Sequence, residues 1–395
     1  MSAHAQTHSA PIPRSQKPPN LREVRFEDYP QVAALVSRFD LHIESYPGWT
    51  HLWTDNPAYR EIEEKFPIGW VLENSEGAIS GYLGNIPLNY ELEGKRLLAA
   101  TTRAWVVDTP LRTYSPLLLG TYFQQPDVDL FLSTTVNSQS APAFSIFQGI
   151  PVPMGDWDRT LFWITHYRGF MESFLRNQAF TESSFRKRFA TMAKSLSYPL
   201  SAGIFLRDQL KGKSLHVRGS AATVNSCPTF DDRFDAFWAA LRIEKYNLLI
   251  AVRSREVLQW HFKFALLQNN AWIFTVEGNS GLAAYSVFQR YDYQSIGLTR
   301  VRMIDFQCLQ QERAPDFLAL MVQSAMDRCR QESIHMLELI GLPPALEKKL
   351  ESASPHRRSL PNWLYFYKAS NPSLAERLKN AAVWDPSLFD GDSSL

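Results

Sequence analysis

The feature that most constrains this chain is an internal repeat. Elements of the same kind recur in the same order: Trp70 of Trp-Val-Leu-Glu with Trp272 of Trp-Ile-Phe-Thr-Val-Glu, Gly77 with Gly281, Tyr82 with Tyr285, Val106-Val107-Asp108 with Met303-Ile304-Asp305, and Asp129–Val136 with Ser333–Ile340. The offsets are 202, 204, 203, 197 and 204 residues. Self-similarity at a fixed offset marks a duplicated structural unit. The 395 residues therefore read as two related halves, in agreement with the two or three domains that this length implies.

Within each half the hydrophobic pattern alternates between strand and helix. Leu21–Phe26 reads as a short strand and Tyr29–Phe39 as a helix, with Val32, Leu35, Val36 and Phe39 at helical spacing after Asp28. Gly69–Glu73 and Ile79–Ile86 flank Asn74-Ser75-Glu76-Gly77 and read as a hairpin. Arg96–Asp108 is a longer strand, Pro116–Phe123 opens a helix, and Asp129–Val136 is a further strand. A helix between two strands suggests a crossover unit. In the second half Ala314–Gln331 is the clearest helix, with Phe317, Leu318, Met321, Val322, Ala325, Met326 and Cys329 forming one apolar stripe. Pro315 suits its first turn, and Arg328 and Arg330 suit its C-terminal end.

Composition narrows the function classes. Lys+Arg number 41 and Asp+Glu 40, a formal net charge of +1, which gives no overall field for nucleic acid or an anionic surface. No apolar run approaches the ~20 residues that span a bilayer, so no membrane insertion is expected. Three separated cysteines, Cys227, Cys308 and Cys329, provide neither a disulfide framework nor a cysteine zinc site. The dispersed histidines lack metal-ligand spacing, so no metal is expected. A cytoplasmic protein is the expectation. Residues 1–20 read as a disordered tail, and 181–201, with Arg186, Lys187 and Arg188, as a basic amphipathic linker helix.

The order strand, helix, helix, hairpin, long strand, turn, helix, strand, helix resembles the GNAT superfamily of acyl-CoA N-acyltransferases. Three features carry the resemblance: Trp53-Thr-Asp-Asn56-Pro57 before the hairpin, Ala104-Trp-Val-Val-Asp108 running into Arg112-Thr-Tyr-Ser-Pro-Leu117, and Asn137 after the next strand. It covers Leu21–Ile150 and, more faintly, Leu215–Tyr367, a tandem similar to Fem-type peptidyl transferases and to envelope-polysaccharide acyltransferases. The implied fold is α/β (α+β): two GNAT-like domains, each a mixed, mostly antiparallel twisted sheet flanked by helices. Expected boundaries are 21–180 for the coenzyme-binding domain, 202–370 for a degenerate second domain and 371–395 for a tail.

The resemblance implies that the turn after the long strand binds the pyrophosphate of an acyl-CoA, probed here by Val106, Val107, Arg112, Thr113, Tyr114, Ser115, Pro116, Leu117 and Asn137. Backbone N–H groups and a helix dipole favour an anion at such a turn. Arg112 fits the opening position, whereas Ser115 and Leu117 stand where small residues, usually glycine, are expected. A backbone N–H near Val106 or Val107 would meet the thioester carbonyl. Asp108 or Asp305 could serve as general base, Asp305 with a pKa raised by its apolar flanks Ile304 and Phe306. Phe144 occupies the place of the family's tyrosine acid, and Tyr114 could substitute. The second turn, Phe306–Arg313, has no glycine and carries Glu312, so it is expected not to bind coenzyme.

The implied function is acyl-CoA-dependent N-acylation, with acetyl-CoA as the expected donor and an amine acceptor such as an amino sugar of a polysaccharide precursor. The alternative is a non-catalytic tandem module that binds a ligand or a protein. A tRNA-dependent aminoacyl transferase would need a basic groove that the charge balance does not suggest.

Overall fold

The computed structural model describes residues 18–63, 65–155, 157–181, 186–210, 222–279, 281–353, 355–360 and 364–395. Most of the expected tail 1–20 and part of the expected linker lie outside them. The strands are β1 (Asn20–Glu23), β2 (Gly69–Glu73), β3 (Ile79–Leu92), β4 (Lys95–Val107), β5 (Leu130–Val136), β6 (Ile150–Pro151), β7 (Arg159–Ile164), β8 (Val224–Cys227), β9 (Ile250–Ala251), β10 (Ala271–Gly278), β11 (Gly281–Arg290), β12 (Arg300–Cys308), β13 (Met336–Ile340), β14 (His356–Ser359) and β15 (Leu364–Ala369). They form two mixed sheets, ordered β1-β2-β3-β4-β5-β15-β6 with β9 on β3, and β14-β7-β13-β12-β11-β10-β8.

The duplication is visible in these orders. Asn20 and Val224, which open β1 and β8, lie 204 residues apart, and Arg159 and Leu364, which open β7 and β15, lie 205 apart. The corresponding strands β7 and β15 have changed places. β15 pairs antiparallel with β5 of the first half, and β7 pairs antiparallel with β13 of the second. Each half thus completes the other half's sheet, a pairing that satisfies backbone groups an edge would otherwise leave open.

The chain clusters into two compact units. One comprises Met1–Thr50, Pro67–Ile86 and Arg103–Gln125, the other His51–Phe66, Pro87–Thr102 and Pro126–Leu395. In the first unit β1 pairs with β2 and β2 with β3, both antiparallel. The hairpin turn is closed by Asn74, whose Oδ1 accepts from Glu76 N and Ala78 N at 3.0 Å each. Helix Tyr29–Ser37 buries Val32, Leu35 and Val36, the apolar stripe expected of it.

In the second unit the helix Ala314–Gln331 packs on its sheet through Phe317, Leu318, Met321 and Val322, all at most 1% exposed. Each such side chain contributes about 1.5–3 kcal/mol by leaving water. The two parallel ladders are equivalent. Ala99, Ala100 and Thr101 of β4 pair with Leu130, Phe131 and Leu132, and Arg300, Val301 and Arg302 of β12 pair with Met336, Leu337 and Glu338. This register matches Thr101 with Arg302, an offset of 201.

In the region read as a basic linker helix, 181–201, a helix Arg186–Leu210 runs through Arg186, Lys187 and Arg188 with Pro199 inside it, preceded by a helix Tyr167–Thr181. β3 also runs past its expected end at Ile86 to Leu92.

Candidate functional site

The first unit carries the turn that sequence singled out. β4 ends at Val107, with Val106 and Val107 buried, and Asp108 donates its N–H to Ser80 O at 2.8 Å. A 3₁₀ turn, Thr109–Tyr114, follows and runs into the helix Ser115–Phe123. Leu111 is the buried anchor of that turn, which leaves Arg112 and Thr113 exposed on its outer side and Tyr114 and Ser115 half-buried. Pro116 sits in the first helical turn, where it sacrifices no needed donor. The first N–H groups of a helix have no intrahelical acceptor, and this end is exposed at Pro116 and Leu117. Arg112 stands in the turn that leads into this helix end. Leu117 is 47% exposed, so its side chain occupies surface that a glycine would leave open.

Asp108 is held by Arg38, whose Nη2 donates to Asp108 Oδ2 at 2.7 Å. Upstream, Ala104 adopts φ +51° inside β4. A non-glycine residue in the left-handed region of a strand is uncommon and costs about 1–2 kcal/mol. Such strain collects where the backbone is re-aimed, typically at a bulge. The second half has a bulge in β12: Val287 pairs with Asp305 and Phe288 with Met303, leaving Ile304 as the extra residue.

That bulge is covered by the chain's own C-terminal segment. Phe389 N donates to Ile304 O at 3.1 Å. Asp305 is fully buried and accepts from Arg253 (Nε 2.9 Å, Nη2 3.1 Å), Tyr285 Oη (2.8 Å), Gln307 Nε2 (3.0 Å) and Ser387 Oγ (3.0 Å). Burial pushes its pKa up, but the Arg253 charge and these donors outweigh burial and hold it below the usual carboxylate range. The expected upward shift is thus reversed. The flanking apolar residues were read correctly as desolvating, but the partner, Arg253, lies 52 residues away in sequence. Arg302, three residues before Asp305, pairs with Glu338 instead, at 2.9 Å.

The same segment reaches β5 of the first half. Asp392 accepts from Thr134 Oγ1 at 2.7 Å and Thr135 Oγ1 at 2.8 Å. Gly391 has φ +104°, and a Cβ there would lie 2.7 Å from Thr134 Cγ2 and 3.3 Å from Thr101 Oγ1. Only glycine fits. Sequence assigned no chemistry to this tail, because a Ser- and Asp-rich ending carries no periodicity that would show it to be buried.

Asn137 is in a turn, its Oδ1 accepting from Gln139 N at 3.0 Å and Ser140 N at 2.8 Å. Its carboxamide is engaged locally, an Asx turn. Phe144 is buried with its ring 5.7 Å from that of Phe366. Cys308 and Cys329 have thiol pKa values pushed up to about 11 and about 12 by burial. Among the described residues no group of three or more His, Cys, Asp or Glu is placed to hold a metal ion. A groove of about 630 Å³ in the second unit is lined by His51, Asp55, Arg60, Trp260 and Lys263 among others, and its charges are paired with one another. Asp55 accepts from Lys263 at 2.6 Å and from His51 at 2.7 Å, which hold its carboxyl below the usual range.

No family model and no curated protein matches this sequence. Solved structures do match by fold. Saccharomyces cerevisiae N-myristoyltransferase with bound myristoyl-CoA is 11% identical at a TM-score of 0.56, covering 96% of this chain and 84% of its own. A GCN5-related N-acetyltransferase from Anabaena variabilis is 10% identical at 0.54, covering 89% and 73%. A probable N-acyltransferase from Enterococcus faecalis is 9% identical at 0.53, covering 89% and 72%. With these structures the chain shares its fold, two tandem GNAT-like halves whose two mixed sheets are flanked by helices.

Proposed function

We propose that the chain is an acyl-CoA-dependent N-acyltransferase that takes its donor at the turn Asp108–Leu117. The observation that carries this reading is the contrast between the halves. The first half's helix Ser115–Phe123 presents an exposed N-terminus beside Arg112, whereas the second half's bulge carbonyl, Ile304 O, is taken by Phe389 N. In this reading the Leu117 amide in the first turn of the helix, with Arg112, holds the pyrophosphate, and the backbone near Val106 and Val107 meets the thioester carbonyl. Asp108, positioned by Arg38, accepts the proton of the attacking amine. Tyr114 returns a proton to the departing thiolate. The amine nitrogen bonds the acyl carbon as the carbon–sulfur bond breaks.

Acetyl-CoA as donor and an amino sugar as acceptor are the finer parts of the proposal. The yeast enzyme's myristoyl-CoA makes chain length the first variable to test. Thermal shift with acetyl-, octanoyl- and myristoyl-CoA supports the reading if one donor raises the midpoint and Arg112→Ala weakens that effect. Binding to the native state alone must stabilise it. Free thiol release with an amine panel then tests turnover. A second reading, a non-catalytic binding module, is favoured by Leu117 at the place of a glycine; binding without thiol release would support it.

A further inference from the structure

The helix Arg186–Leu210 is turned inside out along its last turns. Ser197 and Asp208 are buried and Ser201 and Ile204 half-buried, an i, i+4, i+7, i+11 row that is mostly polar. Asp208 anchors this row, accepting from Tyr167 Oη at 3.2 Å and facing His356 Nε2 at 3.0 Å. The opposite row, Tyr198, Ala202, Phe205 and Leu206 with Leu210 beside it, faces solvent. Tyr198 is 57%, Leu206 60% and Leu210 89% exposed. A helix of a globular protein ordinarily shows its polar face to water and its apolar face to the core. Phe174 on the preceding helix Tyr167–Thr181 is exposed as well.

Charge says what covers this face. Residues 167–218 hold ten Lys and Arg against three Asp and Glu, an excess of seven positive charges in a chain whose net charge is +1. The remainder of the chain is therefore negative, and the excess basic charge falls within this one stretch of sequence between β7 and β8, two strands of the same sheet. Among the described residues no helix is long and apolar enough to cross a membrane. An apolar helical face with aromatic residues, set in a polybasic segment, suits the boundary of an anionic lipid bilayer, with rings and leucines in the acyl region and cations at the headgroups. A second copy would bring two like-charged segments together. Nucleic acid would use the cations but gain nothing from Leu206 and Leu210.

We propose that Tyr198–Leu210 is a surface on which the protein docks to anionic lipid, lying in the interface without spanning it. This is independent of the acyl-transfer reading. The test is co-sedimentation of the full chain with vesicles of equal parts phosphatidylglycerol and phosphatidylcholine, and with phosphatidylcholine alone. The expected result is binding to the anionic vesicles at least about tenfold tighter, weakened by salt. It should be abolished by Leu206→Glu with Leu210→Glu at an unchanged thermal midpoint, since both side chains are exposed. Any of three results would overturn the proposal: no binding to either vesicle, binding that the double substitution leaves intact, or a dimer by light scattering that the same substitution dissociates. Retention of duplex DNA in place of vesicles would overturn it too.

Discussion

Arg253 grips Asp305 through two hydrogen bonds, Nε to Oδ2 at 2.9 Å and Nη2 to Oδ1 at 3.1 Å, with both side chains at most 1% exposed. The pair stands at the bulge of β12, and Ser387 and Asp390 of the C-terminal segment share the same guanidinium. Breaking it leaves an uncompensated buried charge. Arg253→Leu is expected to destabilise the fold by about 3–5 kcal/mol. Arg253→Leu with Asp305→Leu should cost less than the sum of the two single changes. Denaturant midpoints measure both; additive costs would show that the residues do not act as a pair.

Asp390 titrates in the opposite sense. Burial raises its carboxyl to about 6, with Arg253 pulling against burial. A carboxyl whose folded pKa exceeds its unfolded value near 3.9 stabilises the fold fully below that unfolded value, and the contribution is lost as pH rises through about 6. Asp390→Asn should remove this dependence. The thermal midpoint of the variant is expected to fall less than that of the parent between about pH 4 and 7.

His335 adds an acid-side liability. Burial, and then the charge of neighbouring His166, lower it from 6.5 to about 4, and the two rings lie 5.7 Å apart. Thr299 N donates to its Nδ1 at 3.3 Å, a bond only the neutral ring can accept at that nitrogen. Its contribution is therefore complete above about pH 6.5 and lost as pH falls toward 4. His335→Gln should flatten this part of the stability profile, read as thermal midpoints in matched buffers.

The strained Ala104 makes a backbone prediction. At φ +51°, Ala104→Gly relieves steric cost while adding unfolded-state entropy, so its net effect should stay within about 1 kcal/mol. Ala104→Val puts a β-branched side chain in the left-handed region and should cost at least about 2 kcal/mol. A valine variant as stable as the parent would show that the backbone at this position shifts freely.

Much of the architecture was legible because it is local. Gly69–Glu73 and Ala314–Gln331 have the bounds their patterns predict, and hairpin and helix periodicities are set by neighbouring residues. The exchange of β7 and β15 was not, since a strand's pattern says which face is buried but not which sheet it joins. The left-handed backbone of Ala104 escaped because positive φ announces itself in sequence chiefly through glycine. Arg253 and Asp305, and Thr134 with Asp392, meet only through tertiary packing. The turn Arg112–Leu117 was found by resemblance, and its geometry is a strand end, a 3₁₀ turn and a helix start.

The central claim is that one half alone takes an acyl-CoA. Titration calorimetry of the full chain with the donor that shifts its melting should give one site per chain, weakened about tenfold or more by Arg112→Ala and unchanged by Arg313→Ala in the equivalent second turn. Two sites per chain, or one site weakened by Arg313→Ala and indifferent to Arg112→Ala, would contradict it.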